Sequence, residues 1–109
     1  MRSEIQELIN LIQKSLNLFS ERKNLEDLKS RLEELEAISS NPDFWEDSNN
    51  AKIVMKEKQS IEKNISTYQN LKQNLNDNIE IYKLAIDEND FDIQSEIENN
   101  FLELKSINS

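Results

Sequence analysis

Apolar residues recur along this chain at three- and four-residue steps, the spacing that lines them up on one face of an α-helix. Ile5, Leu8, Ile9, Ile12, Leu16 and Phe19 form the first such stripe and predict a helix over about residues 2–20. After the polar patch Ser20-Glu21-Arg22-Lys23-Asn24 the rule resumes with Leu25, Leu28, Leu32, Leu35 and Ile38, either as a continuation of that helix or as a second one. Lys29, Arg31, Glu33 and Glu36 fall off the stripe. Ser39-Ser40-Asn41-Pro42 ends it, because proline inside a helix loses a hydrogen bond, clashes with the preceding turn and disfavours helical geometry at the residue before it. Residues 39–47 are therefore the one clear corner.

From about Ser48 the pattern becomes long and regular. Val54, Ile61, Tyr68, Leu75 and Tyr82 lie seven apart, with Ile65, Ile79 and Ile86 as a companion row, which is a coiled-coil-like seam. Lys58 and Lys72 interrupt the companion row and need solvent access for their ammonium groups. At about 39 residues this helix is roughly 58 Å long and needs other helices packed along it. Asp87-Glu88-Asn89-Asp90 then supplies poor helix formers and good caps, followed by a last amphipathic segment with Ile93, Ile97, Phe101, Leu104 and Ile107 inward. No strand-like alternation is present. The expected fold is all-α: an elongated antiparallel three- to four-helix bundle with a long central coiled-coil-like helix, one helical domain over residues 1–109. The first and last helices carry enough inward rows to cover the central one, so a monomer is expected.

Composition narrows the chemistry. The 109 residues contain no Gly, Cys or His. Without Cys there is no disulfide framework, thiolate nucleophile or structural zinc site, and without His the usual general base and commonest metal ligand are missing. The absence of Gly removes the phosphate-cradling loops, whose backbone approaches a Cβ would obstruct. No cofactor is implied. With 36% hydrophobic and 32% charged residues, slender helices suit the chain better than a thick two-layer globule. A net charge of −9 argues against a nucleic-acid phosphate backbone as the main partner and for a basic protein surface. No apolar run approaches the ~20 residues of a membrane span, and the opening Met1-Arg2-Ser3-Glu4 does not lead into a signal-peptide core, so a cytoplasmic protein is expected.

Three groups of residues are candidates for function. Asp87, Glu88, Asp90 and Asp92 are the best metal candidate, since clustered carboxylates suit calcium or magnesium, but a calcium loop needs ligands at alternate positions and Gly at the sixth, where this chain has Asp92. A capping turn is the favoured reading. Glu33 and Glu36 share a helix face and could in principle do acid–base work, but nothing in the sequence buries them, and no catalytic carboxylate is assigned. Phe44 and Trp45, inside the Pro42 corner, are expected to plug the end of the bundle. The sharper alternative is an exposed hot spot for a partner, since tryptophan is enriched at binding centres.

The run Leu28-Lys29-Ser30-Arg31-Leu32-Glu33-Glu34-Leu35, then Asn41-Pro42-Asp43-Phe44-Trp45, then Ala51, Val54, Glu57 and Ile61, together with the opening Met1-Arg2-Ser3-Glu4-Ile5-Gln6, resembles the N-terminal domain of bacterial peptide chain release factor 2. The Pro-x-Phe-Trp corner is the specific part, because in the sister family, release factor 1, that corner usually lacks the tryptophan. The resemblance implies a cytoplasmic factor that reads the UAA and UGA stop codons and triggers peptidyl-tRNA hydrolysis on the ribosome. It also implies a helical first domain that reaches toward the stalk base of the large subunit, where release factor 3 also acts. Neither reactive tripeptide of the family is present: the only proline, Pro42, lies between Asn41 and Asp43, which excludes Ser-Pro-Phe, and the lack of Gly excludes Gly-Gly-Gln. The chain thus reads as the first domain of such a factor alone, without catalytic activity of its own. Two other classes compete with that reading: a structural coiled-coil protein unrelated to translation, and a carboxylate-based metal protein.

Overall fold

Asn24 settles where the first stripe breaks. Its backbone is left-handed, at φ 51° and ψ 51°, a conformation that a short polar side chain tolerates better than a branched one. It separates α1 (Ser3–Lys23) from α2 (Leu25–Ser39). A 3-10 turn at Phe44–Glu46 follows, then α3 (Ser48–Asp87) and α4 (Phe91–Asn108). The computed structural model describes residues 1–108, and among them no strand occurs. None of these helices is long and apolar enough to cross a membrane. The fold is all-α, as the periodicity predicts.

Contacts divide the chain into two units, Met1–Ser20 with Tyr68 onward, and Glu21–Thr67. The first unit is a three-helix bundle. Ile5, Ile9, Ile12 and Leu16 of α1, Leu75 and Tyr82 of α3, and Ile97, Phe101 and Leu104 of α4 make its core. The rungs joining α3 to α4 run in opposite order along the two helices. Asn100 donates to Asn78 at 2.9 Å, the Tyr82 hydroxyl donates to Glu98 at 3.1 Å, and the Gln94 amide donates to the Ala85 carbonyl at 3.2 Å. The helices are therefore antiparallel. Tyr82 also meets Phe101 edge to face, with ring centroids 5.8 Å apart. Asn78 is the one buried polar residue among those described. Its amide donates to the Asn74 carbonyl at 2.8 Å while its oxygen accepts from Asn100, so its desolvation is compensated on both sides.

The turn into α4 caps both helices. Asn89 is left-handed at φ 54°, and the Asp90 amide donates to the Ala85 carbonyl while the Asn89 amide donates to the Ile86 carbonyl. That is a Schellman arrangement, with asparagine where glycine is commoner. Asp90 then accepts the Ile93 amide on its carboxylate at 3.1 Å and starts α4.

In the second unit Leu35 of α2, Phe44 of the 3-10 turn, and Ala51, Val54 and Ile61 of α3 form the core, flanked by Leu28, Leu32, Met55 and Ile65. Of the rows predicted on α3, Val54, Ile61, Leu75 and Tyr82 are buried, and Tyr68, Ile65, Ile79 and Ile86 are half-buried. Lys58 and Lys72 are accommodated differently. Lys58 lies 4.0 Å from Glu62, and the Lys72 ammonium sits 5.9 Å from the centre of the Tyr68 ring.

Three predicted inward residues face solvent instead: Ile38, Ile93 and Ile107. Each lies in the first or last turn of its helix, where fewer neighbouring side chains are within reach.

Phe101 is fully buried and Leu102 beside it is exposed. Phe101→Ala should lower unfolding free energy by ~3–5 kcal/mol, while Leu102→Ala stays within about 0.5 kcal/mol. Urea denaturation followed by circular dichroism checks both, and equal effects would mean that α4 does not turn Phe101 inward and Leu102 outward.

Candidate functional site

The corner between α2 and α3 is built almost entirely from backbone capping. The Glu36 carbonyl accepts the Ser40 amide at 3.1 Å and the hydroxyls of Ser39 and Ser40 at 3.1 and 2.7 Å, which satisfies a carbonyl of the last turn of α2 that would otherwise need water. Pro42 blocks any continuation. The Asn41 side chain accepts the Asp43 amide at 3.0 Å and its carbonyl accepts the Phe44 amide at 3.0 Å, turning the chain. Asp47, in extended conformation, accepts the Asn50 amide on its carboxylate at 3.1 Å and opens α3.

The aromatic pair of this corner is divided. Phe44 is 6% exposed and belongs to the core of the second unit, whereas Trp45 is 62% exposed. The expectation that both rings plug the bundle is thus corrected for Trp45. A 3-10 turn advances about 120° per residue, so two successive side chains cannot enter the same core. Trp45 and Phe44 form a T-shaped pair, with centroids 4.8 Å apart and planes at 85°. Pro42, Asp43, Glu46 and Asp47 around it are all exposed.

The other candidates are not brought together. Glu33 and Glu36 lie exposed on α2. In the turn after α3, the Asp90 carboxylate is engaged by the Ile93 amide, and among the described residues no group of three or more His, Cys, Asp or Glu is placed to hold a metal ion. A cleft of about 280 Å³ in the first unit is lined by Gln13, Asn17, Tyr68, Lys72 and Asn76 with Leu16 and Leu75. It contains no carboxylate.

Two polar contacts across helices were not singled out by the sequence. Arg31 of α2 makes a two-pronged pair with Glu57 of α3, at 2.7 and 2.9 Å, and also reaches Glu34 at 2.9 Å. The guanidinium hydrogen bonds hold the Glu57 carboxyl below its ordinary value, against a smaller opposing effect of burial. In the first unit Tyr82, Glu98 and Arg2 form a chain of contacts from the interior to the surface. Burial, then the hydrogen bond to Glu98, raises the Tyr82 phenol. Tyr82 was readable as a seam residue, but its partner lies 16 positions away on another helix, which no local spacing could indicate.

A family model described as the PCRF domain matches residues 28–109. The chain is similar to peptide chain release factor 2 of Rickettsia bellii, at 34% identity over 83% of this chain and 24% of the relative. It is 37% identical to the same factor of Rickettsia typhi, over 84% of this chain and 25% of the relative. With that of Roseobacter denitrificans it shares 38% identity, over 91% of this chain and 26% of the relative. The chain spans about a quarter of the length of these curated relatives.

Phe44→Ala should destabilise the protein by ~3–5 kcal/mol, whereas Trp45→Ala, on an exposed ring, should cost under about 1 kcal/mol. Thermal unfolding of the two variants distinguishes them, and a large loss for Trp45→Ala would put the ring back in the core. The Arg31–Glu57 pair predicts a pH dependence. A carboxyl whose folded value lies below its ordinary 4.5 contributes stability that is present above about pH 4.5 and is lost as pH falls through the folded value. Glu57→Gln should therefore lower stability at neutral pH and flatten its acid limb. Denaturation midpoints at pH 7, 4.5 and 3 measure this, and parallel curves for the two proteins would rule out the pair as a contributor.

Proposed function

Because the chain belongs to the PCRF domain family of peptide chain release factors, we propose that it serves as the ribosome-docking N-terminal domain of a factor that terminates translation at UAA and UGA. The observation that carries this reading is the family match over residues 28–109, reinforced by relatives that are all named peptide chain release factor 2. These residues contain neither Gly-Gly-Gln nor Ser-Pro-Phe, so hydrolysis and codon reading fall to other parts of the factor and this segment is not an enzyme. It acts in the cytoplasm as a monomer, with residues 1–109 as its single helical domain. Its partner is the stalk-base region of the large ribosomal subunit, close to where release factor 3 works.

Charge supports the choice of surface. At −9 the module is suited to basic ribosomal proteins and is repelled by bare ribosomal RNA. A single module detached from the contacts of a whole factor loses their avidity, so its own binding is weak. It also weakens as salt shortens the Debye length, which is about 8 Å at physiological ionic strength.

The test has two arms. The purified chain should release no peptide from a stop-programmed ribosome above the buffer rate. It should bind large subunits more weakly when their stalk-base proteins are stripped, and more weakly at high salt than at low, as interferometry would record. Stop-dependent release by the chain alone, or equal binding to intact and stripped subunits, would overturn the reading.

A further inference from the structure

Trp45 is the only tryptophan of the chain and presents most of its surface to solvent. Its sequence neighbourhood, between Arg31 and Lys52, is one-sided. Residues 32–51 contain six carboxylates and no Lys or Arg. Asp43, Glu46 and Asp47 flank the ring in sequence and are exposed, and none of them has an ion-pair partner among the described residues. The helix dipole adds to this. α2 ends at Ser39 with no basic residue in its last turn, so the negative end of the helix is left without a cation just before the corner.

We propose that the Trp45 corner is a docking point for an arginine-bearing segment of a partner protein. The guanidinium group fits this surface in two ways: its plane stacks on an indole face, and its edge donates paired hydrogen bonds to a carboxylate. Lysine carries the charge but not the plane. An RNA or a membrane of anionic lipid is repelled by the exposed carboxylates of Asp43, Glu46 and Asp47. Phe44, buried beneath the turn, meets the indole in a T-shaped contact and leaves most of the ring surface open to a partner. The inference goes beyond ribosome docking, and its test uses no ribosome, so either can fail without the other.

The probe is a synthetic arginine–serine repeat peptide, with a lysine–serine repeat of equal charge as comparison. Because Trp45 is the sole indole, its emission should shift saturably as the arginine peptide is added at low salt. By calorimetry, Trp45→Ala should weaken that binding about five- to tenfold. The double reversal Asp43→Lys with Glu46→Lys should weaken it further than Asp92→Lys with Glu96→Lys, which changes the net charge equally on α4. Circular dichroism confirms that each variant folds, and Asp43→Asn with Glu46→Gln, set against Asp92→Asn with Glu96→Gln, supplies the same charge-matched comparison if the reversal does not. Three results would each overturn the proposal: no saturable shift, equal weakening by the two reversal pairs, or equal affinity for the lysine and arginine peptides.

Discussion

Both cores close against the same seven-residue row of one helix. Val54 and Ile61 of α3 lie in the core of the second unit, and Leu75 and Tyr82 lie in the core of the first. With 36% of its residues hydrophobic, the chain has few apolar side chains to spare. A stripe at seven-residue steps from Val54 to Tyr82 lets α3 (Ser48–Asp87) contribute side chains to each core. Every other helix is placed by its match to that stripe: α1 and α4 against the C-terminal half, and α2 with the 3-10 turn against the N-terminal half.

Polar contacts then choose the register that apolar packing leaves loose. Leucine and isoleucine rows can slide by a turn with modest loss, but the amide ladder Asn74–Asn78–Asn100 and the Tyr82–Glu98 hydrogen bond are satisfied in one alignment only. Arg31 and Glu57 do the same for α2 and α3, with a planar two-pronged geometry that a shifted pair could not reproduce. Among the described side chains no buried nitrogen or oxygen lacks a partner, so these contacts specify the alignment without leaving a desolvated group behind.

The corner shows how a local geometry can convert adjacent residues of one chemical type into opposite roles. Phe44 and Trp45 are both large and aromatic, and Pro42 forces the tight turn in which they sit. The turn's rotation sends one ring into the core and the other into solvent. An exposed tryptophan contributes little to folding. What it offers is a flat, polarisable face, set in a stretch that carries six carboxylates.

Much of this was legible in the sequence. The five amphipathic rows, the corner at Pro42 and the turn at 87–90 follow from periodicity and backbone chemistry, which act over three to seven residues and are written locally. So is the lack of Gly, Cys and His, since an absent residue type cannot be restored by folding. The break at Asn24 is different: spacing alone leaves it open, and its left-handed backbone places it. What only the tertiary structure decided are the matters that depend on residues far apart in the chain. Asn78 and Ala85 are buried although neither is a strong apolar signal, because Asn100 and Gln94 come to face them from α4. Ile38, Ile93 and Ile107 keep the right spacing yet stay exposed, because burial needs a neighbour as well as a phase. The size of Trp45 predicts an inward ring, but the 3-10 turn sends it outward, since direction is set by backbone rotation and not by hydrophobicity.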